Sequence, residues 1–77
     1  MTIAYVLVNC DLGAEEELIE QLKEIEQVKD VFETIGTHDM MVKLDAENFE
    51  KVREIVSWNI QQMKKVRSTS TLIRKEA

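Results

Sequence analysis

The chain has 77 residues, of which 44% are hydrophobic and 32% are charged, a composition typical of one small globular domain. Its net charge of −5 argues against a free-standing nucleic-acid binder and against attraction to an anionic membrane surface. The single cysteine excludes an intrachain disulfide framework and a cysteine-rich zinc site, and it predicts a reducing, cytoplasmic environment.

The first element is a short apolar run. Residues 3–9 have the composition of a β-strand, and the run is far too short to span a membrane. Both of its alternating faces are apolar, with Ile3, Tyr5 and Leu7 on one and Ala4, Val6 and Val8 on the other. Strands that are apolar on both faces are usually covered on both, so we expect a second subunit against one side.

A helix is predicted over residues 14–26. Leu18, Leu22 and Ile25 recur at the spacing of one helical face. The acidic run Glu15–Glu17 falls in the first turn, where carboxylates are stabilised by the positive end of the helix dipole. We therefore interpret this run as a solvated helix start in preference to an acidic binding segment.

Two strands joined by a hairpin come next, followed by a second helix. Val28–Ile35 and Asp39–Leu44 carry near-alternating apolar residues, and Gly36 lies in the short connection. Asp45 is the candidate N-cap of a helix over Ala46–Met63. The predicted buried face of that helix comprises Phe49, Val52, Ile55, Val56, Trp58, Ile60 and Met63.

Val66–Ile73 is the last predicted strand, and a polar tail, Arg74–Ala77, follows it. Its hydroxyl side chains alternate, which puts Ser68 with Ser70 on one face and Thr69 with Thr71 on the other. These hydroxyls are explained either by β-propensity on an edge strand or by contact with a ligand or a partner subunit.

The order strand–helix–strand–strand–helix–strand indicates a duplicated unit. Shifting one half onto the other places Leu18 on Val56 and Leu22 on Ile60, so the apolar pattern repeats although the identities do not. Right-handed crossovers then put both helices on one face of a four-stranded antiparallel sheet ordered 4-1-3-2. The predicted class is α+β, with the ferredoxin-like βαββαβ architecture.

Polar residues gather at one end of this predicted sheet. The first strand ends there at Asn9, Cys10 and Asp11, beside the hairpin Gly36–Asp39, the start of the first helix and the start of the last strand, Val66–Thr69. Turn amides around Gly36 suit a carboxylate and Asp39 suits an ammonium group, so the set fits an amino acid. Glycine and aspartate are also the ordinary residues of a hairpin turn, and both interpretations stay open.

Cys10 and His38 are the other chemically reactive side chains at this end. With Asp39 they include metal-ligand types, but they come from two loops and lack a diagnostic spacing. Nothing in the sequence marks Cys10 as an activated nucleophile. We therefore expect no metal, no cofactor and no catalysis, and we expect His38 to face solvent.

Two segments resemble a known family. Thr34–Val42 is similar to the G-x-x-D hairpin of the amino-acid-binding domain of Lrp/AsnC transcriptional regulators, and Val66–Thr71 is similar to the V-x-x-T-x-T strand of that domain. The likeness extends over roughly residues 3–74. It implies a single domain of this type, called RAM for regulation of amino-acid metabolism, across the whole chain.

The resemblance also implies how such a domain works. Two subunits pack sheet to sheet into an α/β sandwich, and dimers assemble further into an octamer or decamer. A small effector, usually an amino acid or related metabolite, binds between dimers near the hairpin. The residues expected to bind this effector are Ile35, Gly36, Thr37, His38, Asp39, Ser68, Thr69 and Thr71.

The chain departs from the family pattern in three ways. No helix-turn-helix domain precedes the first strand, so the chain resembles a stand-alone member without direct nucleic-acid binding that modulates a helix-turn-helix relative through mixed assembly. His38 stands where an aromatic residue is usual, and Lys64 with Lys65 replaces a common proline-glycine pair. We expect an effector-binding and oligomerisation module. The alternatives are a cofactor-free enzyme of the dimeric α+β barrel type and a purely structural self-assembling module.

Overall fold

A four-stranded antiparallel sheet is the centre of the fold in the computed structural model, which describes residues 1–75. The elements in chain order are β1 (Thr2–Cys10), α1 (Glu15–Lys23), β2 (Val28–Glu33), β3 (Met40–Ala46), α2 (Phe49–Glu54), a π-helical segment (Ile55–Ile60) that continues α2, and β4 (Val66–Ile73). Glu76 and Ala77 of the predicted polar tail lie outside the described residues.

The strands lie in the order β2-β3-β1-β4, which confirms the predicted 4-1-3-2 sheet and the βαββαβ topology. β1 pairs with both β3 and β4, so Val6 lies opposite Val42 on one side and Thr71 on the other. Near the chain ends Ala4 lies opposite Ile73, and the Arg74 N–H donates a hydrogen bond of 2.8 Å to the carbonyl oxygen of Ile3. The start of β1 and the end of β4 therefore lie side by side.

One face of the sheet packs against the helices. Buried side chains of both helices join those of the strands in a single core cluster. The predicted repeat pairs Leu18 with Val56 and Leu22 with Ile60, and all four side chains are buried. The other largely inaccessible side chains of this cluster include Ala4, Val6, Val8, Val42, Leu44 and Val52.

The opposite face of the sheet carries no helix within residues 1–75, and its apolar side chains are only partly buried. Leu7 and Tyr5 are half-buried in β1, and Met41 in β3 is opposite both Leu7 and Phe32. Leu72, opposite Tyr5, is 56% exposed. We call this surface the open face, defined by Ile3, Tyr5, Leu7, Phe32, Met41 and Leu72.

The second helix begins later than predicted. Asp45 is wrong as its N-cap, because β3 continues through Ala46 and holds Asp45 in the sheet. Asn48 is the N-cap: its backbone is extended, with φ −157° and ψ 175°, and its side-chain oxygen accepts a hydrogen bond of 2.8 Å from the Lys51 N–H. The helix begins at Phe49 as a result.

The end of this helix also differs from the prediction. After Glu54 the chain widens into the π segment, whose last bond joins the Gln61 N–H to the carbonyl oxygen of Val56 at 2.8 Å. The wider turn alters the phase of the apolar pattern. Two residues predicted on the buried face are exposed, Trp58 at 72% and Phe49, at the start of α2, at 49%. Within residues 1–75 no helix has the length and apolar character needed to cross a membrane.

Candidate functional site

The connection between β2 and β3, residues 34–39, is closed by its own hydrogen bonds. The Thr34 hydroxyl donates to the carbonyl oxygen of His38 at 2.6 Å, and the Thr34 N–H donates to the carbonyl oxygen of Asp39 at 3.0 Å. Gly36 has a φ of 126°, a conformation that residues with a Cβ rarely adopt. The loop therefore has a defined shape that depends on glycine at its tip.

Asp39 fastens this loop to the end of β1. Its N–H donates to the carbonyl oxygen of Val8 at 3.0 Å and to the side-chain oxygen of Asn9 at 3.1 Å. Its carboxylate oxygen Oδ2 accepts a hydrogen bond of 2.8 Å from the Cys10 N–H. These bonds link residues about thirty positions apart in the sequence, and they fix the direction of the carboxylate.

A groove of about 470 Å³ opens where this loop meets the ends of β1 and β4. We call it the sheet-end groove; it is lined by Asn9, Cys10, Thr37, Asp39, Arg67 and Ser68. Its volume lies within the range of small-molecule sites, and most of its lining side chains are polar.

The sheet-end groove brings together three of the residues predicted to bind an effector, Thr37, Asp39 and Ser68. Asn9 and Cys10 join them, as the predicted convergence at this end of the sheet anticipated. Arg67 was not among the predicted site residues. The signal available in the sequence was its cationic side chain inside a strand of serines and threonines, directly before Ser68.

The other predicted loop residues lie around the groove without lining it. Ile35 is fully exposed at the loop tip. His38 is half-buried, contrary to the expectation that it faces solvent, and its Nδ1 atom is buried without a hydrogen-bond partner among the described residues. Gly36 contributes the backbone conformation described above.

Thr69 and Thr71 lie on the helix-covered side of the sheet, away from the groove. Thr69 is opposite Val8, and its hydroxyl oxygen accepts a hydrogen bond of 2.9 Å from the Gln61 side chain. Thr71 is opposite Val6 and lines a separate cavity of about 250 Å³ beneath α2 and its π segment. Ser68 and Thr69 are neighbours in β4 but lie on opposite faces of the sheet, because side chains alternate along a strand.

The chemistry available to Cys10 is limited by its surroundings. Burial raises the pKa of its thiol, and the negative charge of Asp39 raises it further. The thiol therefore stays protonated at neutral pH, and a protonated thiol is a poor nucleophile and a poor metal ligand. Across residues 1–75 no three His, Cys, Asp or Glu side chains are grouped so that they would hold a metal ion.

Comparison with known proteins identifies a family that this chain matches. Residues 3–76 match the family model described as the Lrp/AsnC ligand binding domain. The comparison with curated proteins gave no match.

Solved structures similar to this chain include both short and long proteins. FFRP-DM1 is 27% identical, with 97% of this chain and 100% of that chain covered and a TM-score of 0.94. TTHA0845 from Thermus thermophilus is 26% identical, with 100% and 96% covered and a TM-score of 0.94. The transcriptional regulator NMB0573 from Neisseria meningitidis, solved as a complex with L-Met, is 13% identical, with 97% of this chain and 50% of that chain covered and a TM-score of 0.89. At 13% identity, the similarity to NMB0573 shows a shared fold.

Proposed function

This chain belongs to the Lrp/AsnC ligand-binding domain family, and from that premise we propose that it is an effector-binding and oligomerisation module. An amino acid or closely related metabolite binds in the sheet-end groove. The observation that carries the proposal is the position of this groove, which forms where the hairpin of the family motif meets the ends of β1 and β4. The same proposal places the protein in the cytoplasm.

The groove offers partners for both charged groups of an amino acid. Asp39 supplies a carboxylate whose direction is fixed by the Cys10 N–H, and a carboxylate is a suitable partner for an ammonium group. Arg67 supplies a guanidinium, and Thr37 and Ser68 supply hydroxyls. An amino-acid complex is known for a protein of the same fold, the regulator NMB0573.

Self-association through the open face is the second part of the proposal. Tyr5, Leu7 and Met41 form a partly exposed apolar band in the middle of the sheet, and Phe32 and Leu72 extend it toward the two edges. Lys43 lies opposite Tyr5 on the same face, and the apolar residues around it are exposed in the way that is typical of an interaction site. A second copy of the chain placed sheet to sheet covers it, giving a dimer that assembles further into an octamer or decamer.

Ligand binding and assembly are coupled by linkage. An effector shifts the distribution of oligomers only to the extent that it binds one assembly more tightly than another. Mixed assembly with a helix-turn-helix relative then passes the effector signal to DNA, while this acidic chain does not contact nucleic acid itself. The proposal includes no catalytic step. The raised pKa of Cys10 supports this, because it disfavours the thiolate that a cysteine nucleophile needs.

Native mass spectrometry of the purified chain, alone and with the twenty amino acids in pools, tests this proposal. We expect an oligomer larger than a monomer, and a bound mass or a shifted subunit distribution with at least one pool. A monomer at every concentration contradicts the assembly part. An oligomer that is indifferent to every pool contradicts the effector part.

Two serines of β4 provide a matched pair of variants for the binding measurement. Ser68 and Ser70 lie on the same face of the strand, but only Ser68 lines the groove. We expect Ser68→Ala to weaken effector binding and Ser70→Ala to leave it unchanged. Equal affinities for the two variants place the effector elsewhere.

Co-expression with a helix-turn-helix relative tests the regulatory step. Recovery of both chains in one assembly supports mixed oligomers. Recovery of this chain only with itself contradicts them.

A further inference from the structure

A β-bulge in β4 determines where the side chain of Arg67 lies. Asn9 is paired with Ser68, but the next residue of β1, Cys10, is paired with Val66, so Arg67 is the extra residue of β4. Without the bulge, Arg67 would lie opposite Cys10. Cys10 is on the helix-covered face and is only 6% exposed, so Arg67 would lie on that covered face too. The bulge gives that position to Val66, which packs against the core.

Displaced from the ladder, Arg67 lines the sheet-end groove instead. Its side chain is 71% exposed, and its Nε atom lies 4.0 Å from the Asp11 carboxylate oxygen Oδ1. Asp11 is itself 57% exposed, so this ion pair is weak and is readily exchanged for another carboxylate. A guanidinium presents five donors in a planar fork, which matches the two oxygens of a carboxylate.

The rest of the groove lining restricts what else a ligand carries. Asn9, Thr37 and Ser68 present amide and hydroxyl groups, and Asp39 presents a negative charge. None of the six lining residues has a large aliphatic or aromatic side chain. An apolar ligand side chain therefore gains little burial here, whereas a short polar one finds hydrogen-bond partners.

Building on the proposed function, we propose that Arg67 binds the α-carboxylate of the effector and that the effector is an amino acid with a short, uncharged polar side chain. Asp39 faces the ammonium group in this arrangement. In this arrangement the bulge places the guanidinium of Arg67 in the binding groove instead of on the covered face of the sheet.

Titration calorimetry on the whole chain tests this inference. The polar probes are L-serine, L-threonine and L-asparagine, and the apolar probes are L-leucine, L-isoleucine and L-valine. The best-binding amino acid is also tested as its carboxamide, which lacks the carboxylate charge. The variant is Arg67→Gln, and the control is Arg74→Gln, which removes the same charge from beyond the far end of β4.

We expect a polar probe to bind best and its carboxamide to bind about tenfold more weakly or worse, since a charge-assisted hydrogen bond is lost. Arg67→Gln should bind the acid and the carboxamide equally, and Arg74→Gln should behave like the unaltered chain. Both variants change exposed side chains, and unaltered melting temperatures confirm that they fold.

Three results overturn the inference. If an amino acid binds but Arg67→Gln keeps the full preference for the free carboxylate, another group holds the carboxylate and the proposed function stands. If apolar probes bind best, the assigned side-chain class is wrong and the proposed function again stands. If none of the six probes binds to the unaltered chain, this inference fails, and the proposed function fails with it when the pools of all twenty amino acids also give no binding.

Discussion

The two faces of the sheet are built from alternate residues of the same strands, yet they differ in how fully one chain buries them. On the helix-covered face Val6, Val42 and Leu44 are inaccessible to solvent. On the open face Tyr5 and Leu7 remain partly exposed. The helices of one subunit therefore cover one apolar surface, and within residues 1–75 the second has no cover. Because we propose that self-association covers it, we expect its contribution to stability to depend on protein concentration.

The largest effect is expected on the covered face. Leu44→Ala removes a fully buried side chain and leaves a cavity, which should lower the free energy of unfolding by about 2–5 kcal/mol. Urea denaturation followed by circular dichroism measures this loss. In a domain of this size that loss is a large share of the total stability.

Leu7→Ala is the matched comparison, because it makes the same substitution on the open face. We expect it to weaken self-association more than it weakens the fold of a single subunit. Equal, concentration-independent losses for Leu7→Ala and Leu44→Ala would remove the distinction between the two faces.

A charge in the middle of the open face should separate the subunits. Leu7→Glu places two symmetry-related carboxylates in an apolar interface, where an unpaired charge is costly. Sedimentation velocity should then show a folded monomer in place of the oligomer. Asn59→Glu, at an exposed position of the π segment, serves as the control and should leave the oligomer intact.

A smaller effect is expected where the helical cover begins. Asn48→Ala removes the hydrogen bond to the Lys51 N–H at the start of α2 and should lower the free energy of unfolding by about 1 kcal/mol. Asn59→Ala changes an exposed residue of the π segment and is the control. Thermal melting distinguishes them, and identical melting temperatures would show that the cap does not contribute.

The smallest effect concerns the end of the covered face, at Cys10. Burial and the charge of Asp39 raise the pKa of its thiol in the folded chain, so the protonated form is favoured by folding. The resulting stability is present below the thiol pKa of the unfolded chain and is lost as the pH rises through the higher folded value. Thiol alkylation measured against pH should show a midpoint above that of an unfolded peptide, and an ordinary midpoint would contradict this assignment.

Much of the fold could be predicted from the sequence because its signals are periodic. The apolar run of β1, the near-alternation in β3 and the repeat that relates Leu18 to Val56 indicate the strands and the topology, and right-handed crossovers then indicate the covered face. The second helix was harder, because Asp45 and Asn48 are both good caps and only the length of β3 decides between them. Trp58 was misplaced because a regular helical period was assumed through the π segment.

The elements that form the candidate site could be predicted from the sequence, but the strand pairing that decides which side chains enter it could not. Topology alone brings the loop with Thr37 and Asp39 to the end of β1. The faces of Thr69 and Thr71 depend on how β4 is paired with β1, and the position of Arg67 depends on a bulge in that pairing. A shift of one residue exchanges the faces of a strand, and neither the register nor the bulge has a local sequence signature here.

The end of β4 lies beside the start of β1, and this makes the two halves of the fold interchangeable. Since β4 ends beside the start of β1, a short glycine linker from Lys75 to Met1 would make these two strands an antiparallel hairpin like that of β2 and β3. Opening the chain within residues 34–39 would then produce a circular permutant in which the second half precedes the first. Its element order would again be strand–helix–strand–strand–helix–strand, so the two halves could exchange places in the gene while the architecture stayed the same.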